Sequence, residues 1–267
     1  MKELGVRAVT GAVYVALTLG AAFAGKFTTF LLFLPVCVIA AREMHLLYWG
    51  EDEAHPVSWS MMLAGTVHVA FAMCALDKDW HIGYAIAIAF VLALITITLH
   101  LLHGIRQPAH ALGGVLVLIL LIALPFGLLA HLFAYSPWMF IGFMILLWTN
   151  DTGAYLVGRS IGRTKLLPAV SPKKTVEGLL GGIALTLGVA WLIAQFQDFL
   201  TAPEWLSVAA IIAITSTLGD LLESAFKRAR GVKDSGTILP GHGGILDRFD
   251  GFFLAIPSVL LYLHMVR

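Results

Sequence analysis

Between Gln107 and Asn150 the chain carries no Asp, Glu, Lys or Arg. A hydrocarbon core about 30 Å thick is crossed by roughly 20 apolar helical residues, so this stretch is long enough to cross a bilayer twice. Tyr135-Ser136-Pro137 divides it, because proline removes a backbone donor and restricts the residue before it. The remainder of the 267 residues agrees, with 59% hydrophobic against 12% charged residues and a mean hydropathy of +0.89. That excess must face lipid. A formal net charge of +1 gives no bulk attraction to nucleic acid or an acidic partner. Cys37 and Cys74 both lie in apolar stretches, which indicates neither a disulfide framework nor a thiolate metal site.

The pattern predicts an all-α polytopic membrane protein with about nine spans: 8–25, 27–48, 57–76, 82–102, 111–134, 138–157, 176–196, 205–222 and 245–266. Lys and Arg gather in short cytoplasmic loops. With the N-terminus inside, Lys2, Arg7, Arg42, Arg106, Arg159, Arg163, Lys165, Lys173, Lys174, Lys227, Arg228, Arg230, Lys233 and Arg248 are cytoplasmic, 14 of 17. Only Lys26, Lys78 and Arg267 fall outside, so the split fixes the orientation. Lys2 and Arg7 ahead of a stretch ending Ala22-Phe23-Ala24 also resemble a cleaved secretory signal; eight further spans follow in either case. The expected organisation is a single integral membrane domain, with 1–150 mainly scaffold, 151–251 bearing the motifs and 252–267 completing the last span.

Two segments, 151–177 and 220–250, hold 10 of the 17 basic and 7 of the 16 acidic residues. Several of the acids adjoin apolar helices, where a carboxylate costs several kcal/mol unless it is paired or metal-bound. Asp247 and Asp250 are three apart and are expected on one helix face; Asp220, Glu223 or Ser224, and Lys227 share another. Two stacked acidic faces on the cytoplasmic side suit a hard divalent cation, magnesium or calcium rather than zinc. Taken singly, each acid reads equally well as an interfacial cap or salt-bridge partner. The glycine-rich run from Lys233 to Gly244 is too polar to span, and its amides are expected to converge on an anion ahead of a helix starting near Ile245. In Ser171-Pro172-Lys173-Lys174-Thr175, two lysines precede a helix start, and a positive-inside anchor explains them too. The histidines are scattered without metal spacing. His242, between glycines, is the exception and suits either a phosphate donor or a structural role.

The run Ser224-Ala225-Phe226-Lys227-Arg228, then Lys233-Asp234-Ser235-Gly236, then the unbroken stretch from Leu239 to Asp250 resembles the signature of phosphatidate cytidylyltransferases, also called CDP-diacylglycerol synthases. It spans 27 positions. A second block, Asp151-Thr152-Gly153-Ala154-Tyr155 with Gly158-Arg159, Gly162-Arg163, residues 171–175 and Glu177-Gly178, is similar to the same family. Before Asn150 only hydropathy agrees. The resemblance implies an integral membrane enzyme of phospholipid biosynthesis, in the bacterial inner membrane. It would make CDP-diacylglycerol and pyrophosphate from CTP and phosphatidate, with Mg2+ and as a homodimer. It implies Asp220 and Asp247 as principal metal ligands, with Asp250, Glu223 and Asp151 as further ligands or supports. Lys227, Arg228, Lys233 and Arg248 would meet phosphates, and Lys173 and Lys174 would reach in from the preceding loop. Ser224, His242, Gly243 and Gly244, with Asp234 of the same loop, would shape the substrate pocket at the cytoplasmic interface.

Rival readings change the lipid acceptor, as in a CDP-archaeol synthase or a CTP-using polyprenol kinase, or the class, as in an ion-coupled anion transporter. The complete signature disfavours the first pair. A transporter predicts charged or interrupted spans in both halves, and the first half lacks a comparable cluster.

Overall fold

The structure is a computed structural model describing residues 2–51, 56–103, 107–239 and 243–267, with backbone alone for residues 2–8. Helices α1 (Lys2–Ala24), α2 (Lys26–Tyr48), α3 (Val57–Leu76) and α4 (Ile82–Leu102) follow the expected windows closely. The next span, Pro108–Ala134, is irregular. It runs through α5 (Pro108–Val117), a π-helical stretch (Leu118–Ala123), α6 (Leu124–Leu128) and a 3-10 stretch (Leu129–Ala134). Pro125 lacks the amide a regular register would use, and the π turn lies immediately before the helix it opens. Then come α7 (Pro137–Ile161), the strands β1 (Lys165–Leu167) and β2 (Ser171–Thr175), α8 (Val176–Ile193), α9 (Ala202–Ala229), α10 (Leu246–Phe249) and α11 (Phe252–Val266). Among the described residues eight helical spans are long and apolar enough to cross a membrane, and Val9–Ala24 is a shorter apolar helix. The protein is an all-α integral membrane protein.

Three local expectations change. The lysines of 171–175 lie on β2 of an antiparallel hairpin, with Lys165 opposite Thr175 and Leu167 opposite Ser171. α9 continues seven residues past the expected apolar window, so that Lys227 is on the helix as its expected shared face with Asp220 requires, and Arg228 with it. The last span is interrupted at Asp250 and Gly251, so Asp247 and Asp250 do not share a helix face. Asp250 Oδ1 accepts from its neighbour Gly251 N at 2.7 Å, a local bond that competes with helix continuation.

The chain forms two compact units, Met1–Ala134 with Arg230–Phe249, and Tyr135–Ala229 with Asp250–Arg267. The motif-bearing stretch 151–251 is therefore divided between them. In the first unit α2 packs on α3, where Cys37 Sγ reaches Ala64 O, and buries Phe33, Cys37, Ala40, Ala41 and Met44. α4 buries little beyond Ala85, Ala89, Thr96 and His100 and exposes Ile86, Phe90, Val91, Leu94 and Ile95, the pattern of a lipid-facing helix. The packed histidines expected from the sequence include His45, His68 and His100, all buried. In the second unit α7, α8, α9 and α11 pack together, and α7, α9 and α11 bury Phe140, Phe143, Trp205, Phe252 and Phe253.

Candidate active site

In the second unit the charged side chains are placed by α7, α8 and α9. A Cβ on Gly178 would lie 2.8 Å from Ala154 O and 3.1 Å from Gly158 Cα, so α7 and α8 approach where side chains would hold them apart. The hairpin closes their connection. Glu177 accepts from the amides of Arg163 at 3.0 Å and Thr164 at 3.1 Å. Thr175 Oγ1 accepts from Gly178 N at 3.1 Å and caps α8, which is the helix start the sequence indicated. The hairpin also brings Lys174 into an ion pair with Asp220. Arg228 Nε donates to Val170 O at 3.3 Å, so this arginine holds the hairpin turn in the structure.

Along the inner end of α9 the expected shared face is present. Ser224 Oγ donates to Asp220 Oδ1 at 3.2 Å, and Lys227 Nζ lies 2.5 Å from Glu223 Oε2 with both side chains buried. Asp250 is half-buried and lies within electrostatic reach of Asp220, Asp151 and Glu223. Asp151 and Lys173 are exposed. Deeper in the unit, Asn150 Nδ2 donates to Ser216 Oγ at 2.9 Å, both residues being buried. Asn150 Oδ1 is also buried and accepts no hydrogen bond among the described residues. Asp151, Asp220, Glu223 and Asp250, with Lys174 and Lys227 paired to two of them, offer hard oxygen donors of the kind Mg2+ takes and zinc does not. Among the described residues no three His, Cys, Asp or Glu side chains close on one point.

In the first unit Arg230–Phe249 forms the glycine-rich loop and α10. Asp247 Oδ2 accepts from Ser235 N at 2.9 Å and Gly244 N at 2.7 Å and lies 3.0 Å from Ser235 Oγ. Leu239 N donates to Gly243 O at 2.9 Å, and Gly243 adopts a φ of 80° that favours glycine. Lys233, Asp234 and Arg248 are exposed. His242 lies outside the described residues. The amides expected to converge on an anion donate instead to two of the protein's own carboxylates. Gly244 N goes to Asp247, while Ile245 N and Leu246 N donate to Glu43 at 3.0 and 2.8 Å. The sequence reading missed Glu43, Asn150 and Ser216. The rule that flagged the other acids applies equally to Glu43, a carboxylate in an apolar span.

The sequence from residue 5 to residue 266 matches the Cytidylyltransferase family. Among its relatives is a protein of Staphylococcus aureus named phosphatidate cytidylyltransferase, 50% identical over 121 residues, 45% of this chain and 46% of the relative. Proteins of the same name from Staphylococcus haemolyticus and Staphylococcus saprophyticus are 51% identical over 120 residues and 49% over 124. The chain thus spans about half the length of the curated relatives it matches. Apolar spans and bacterial relatives place the protein in the bacterial inner membrane. With nearly its whole length matched, the chain belongs to the cytidylyltransferase family.

Proposed function

We propose that this protein transfers CMP from CTP to phosphatidate, giving CDP-diacylglycerol and pyrophosphate. The observation that carries the reading is the cluster of Asp151, Asp220, Glu223 and Asp250 interleaved with Lys174 and Lys227, in a membrane chain whose relatives bear that name. A phosphate oxygen of phosphatidate forms a bond to the α-phosphorus of CTP. The bond from that phosphorus to the oxygen bridging to the β-phosphate breaks, and pyrophosphate leaves with the electron pair. The attacking phosphate is already ionised, so no strong general base is required. What remains is in-line placement and neutralisation of crowded negative charge.

Asp220, Asp250, Glu223 and Asp151 would hold Mg2+, with Asp247 added on the sequence resemblance. The ion supplies charge neutralisation to the phosphates when bound. Lys174 and Lys227, now paired with Asp220 and Glu223, would exchange those carboxylates for phosphate oxygens. Lys173, Lys233 and Arg248, all exposed, are suited to recruit the triphosphate and the lipid headgroup, and Arg228 acts beside them. Ser224 orients Asp220, and Asp234, His242, Gly243 and Gly244 belong to the substrate-facing loop. The reading also includes a homodimer, to be checked by the mass of the detergent-solubilised particle.

The test is direct. Purified protein in detergent with labelled CTP and phosphatidate is expected to release pyrophosphate and CDP-diacylglycerol in equal amounts, and only with Mg2+. No labelled lipid under those conditions overturns the reading.

A further inference from the structure

We infer that Glu43, on α2 in the half of the chain without sequence motifs, is a positioning residue that sets the conformation of the signature loop and hence its hold on CTP. Its carboxylate is 1% exposed and is spent entirely on that loop in the bonds described. Oε1 accepts from Ile245 N at 3.0 Å, and Oε2 accepts from Leu246 N at 2.8 Å and lies 2.9 Å from Ser235 Oγ. Ser235 in turn reaches Asp247 Oδ2. One carboxylate therefore joins both limbs of the loop, the Ser235 limb and the start of α10, with Asp247 as the cross-tie.

Two glycines of the signature are explained by the same group. A Cβ on Gly236 would lie 2.5 Å from Glu43 Oε1, and one on Gly244 would lie 2.4 Å from Glu43 Oε2 and 2.2 Å from Ser235 Oγ. Neither glycine has a positive φ, so the requirement is space for the carboxylate and not backbone conformation. The rest of α2 reinforces the clamp. Arg230 Nε donates to Leu46 O at 3.3 Å, and Phe33 meets Phe249 with ring centroids 5.8 Å apart, edge to face. The loop is gripped at its entry, its middle and its exit by one helix.

A buried carboxylate accepting amide hydrogen bonds is strong and directional. Gln in its place has one acceptor oxygen to offer two amides and a hydroxyl, and its NH2 faces a donor. Lys233 and Arg248 sit on the clamped segment, so their aim at phosphate depends on it. This step rests on the cytidylyltransferase reading.

Wild type, Glu43→Gln and Gly244→Ala, purified in detergent, are compared by hydrogen–deuterium exchange and by turnover with CTP and phosphatidate. Peptides within 233–249 are expected to exchange faster in both variants while α3 and α9 keep their protection. kcat/KM for CTP is expected to fall about a hundredfold, with a raised KM as part of the loss. Simple loss of folded enzyme would lower kcat and leave KM alone. Unchanged exchange across 233–249 in Glu43→Gln overturns the clamp, and faster exchange with an unchanged KM overturns the positioning role. Should either variant lose protection throughout, Gly236→Ala, which displaces the same carboxylate, decides by the same readouts. Absence of turnover in wild type overturns the cytidylyltransferase reading instead, and the exchange comparison still decides whether Glu43 holds the loop.

Discussion

Asp250 shares its surroundings with Asp220, Asp151 and Glu223, and like charges held together in a half-buried place cost stability that a bound cation would return. Asp250→Asn keeps the oxygen that accepts from Gly251 N and removes the ionisable carboxyl. Its metal-free thermal midpoint is expected to rise, by about 2–4 °C for each kcal/mol of repulsion relieved, and its Mg2+-dependent rise to disappear. Scanning fluorimetry in detergent with chelator and with Mg2+ reads both, and a rise with Mg2+ as large as wild type's would remove Asp250 from the set. Lys227 tests the opposite case. Lys227→Met takes the buried ion-pair partner from Glu223 and should cost about 3–5 kcal/mol. Adding Glu223→Gln should recover most of the stability without restoring turnover. Recovery of turnover in the double variant would show Lys227 to be structural only. These acids were legible in the sequence because a carboxylate in an apolar helix needs a reason to be there. Glu43 obeys the same rule, yet its partners Ser235, Ile245 and Leu246 lie about two hundred positions away, and no local pattern announces a contact of that range.

α8 shows how helices rather than residues set the frame. Gly178 and Gly188 lie on the same helix in different surroundings. A Cβ at Gly178 meets Ala154 O and Gly158 Cα, whereas one at Gly188 meets nothing within 4 Å. Gly188→Ala is therefore expected to stabilise by about 0.5–1 kcal/mol through helix propensity. Gly178→Ala should destabilise by about 1–3 kcal/mol by prising α7 from α8. Thermal midpoints of the two variants, measured side by side, should move in opposite directions; a shared sign would mean that close packing does not govern this pair. The long helices were readable from hydropathy because lipid imposes a minimum length on any run that crosses it. The departures lie where local polar bonding competes with that rule: the hairpin held by Glu177 on Arg163 and Thr164, and the break where Asp250 takes the amide of Gly251. Spacing alone placed Asp247 and Asp250 on one helix face, because a three-residue interval implies a face only when the helix continues through it.

At the scale of the whole molecule the site and the membrane impose one shared condition. On the proposed function, CTP comes from the cytosol and phosphatidate from the bilayer, which requires the loops around Lys173 and Lys233 to face the cytoplasm. The distribution of Lys and Arg requires this independently of any motif, since 14 of 17 fall on one side of the predicted topology. In a chain with Cys37 and Cys74 replaced by alanine, single cysteines at Asp79 and Asp198 are expected to react with a membrane-impermeant maleimide in intact spheroplasts. Cysteines at Lys173 and Lys233 should react only in inverted vesicles. Lys173 and Lys233 lie on different compact units and are separated in the chain by two spans, α8 and α9. An even number of crossings between them puts both on the same side, whichever side that is. Labelling of both from outside would preserve the fold and separate the site from its nucleotide. Labelling of one from each side would mean that α8 or α9 does not cross, and the fold itself would have to be redrawn.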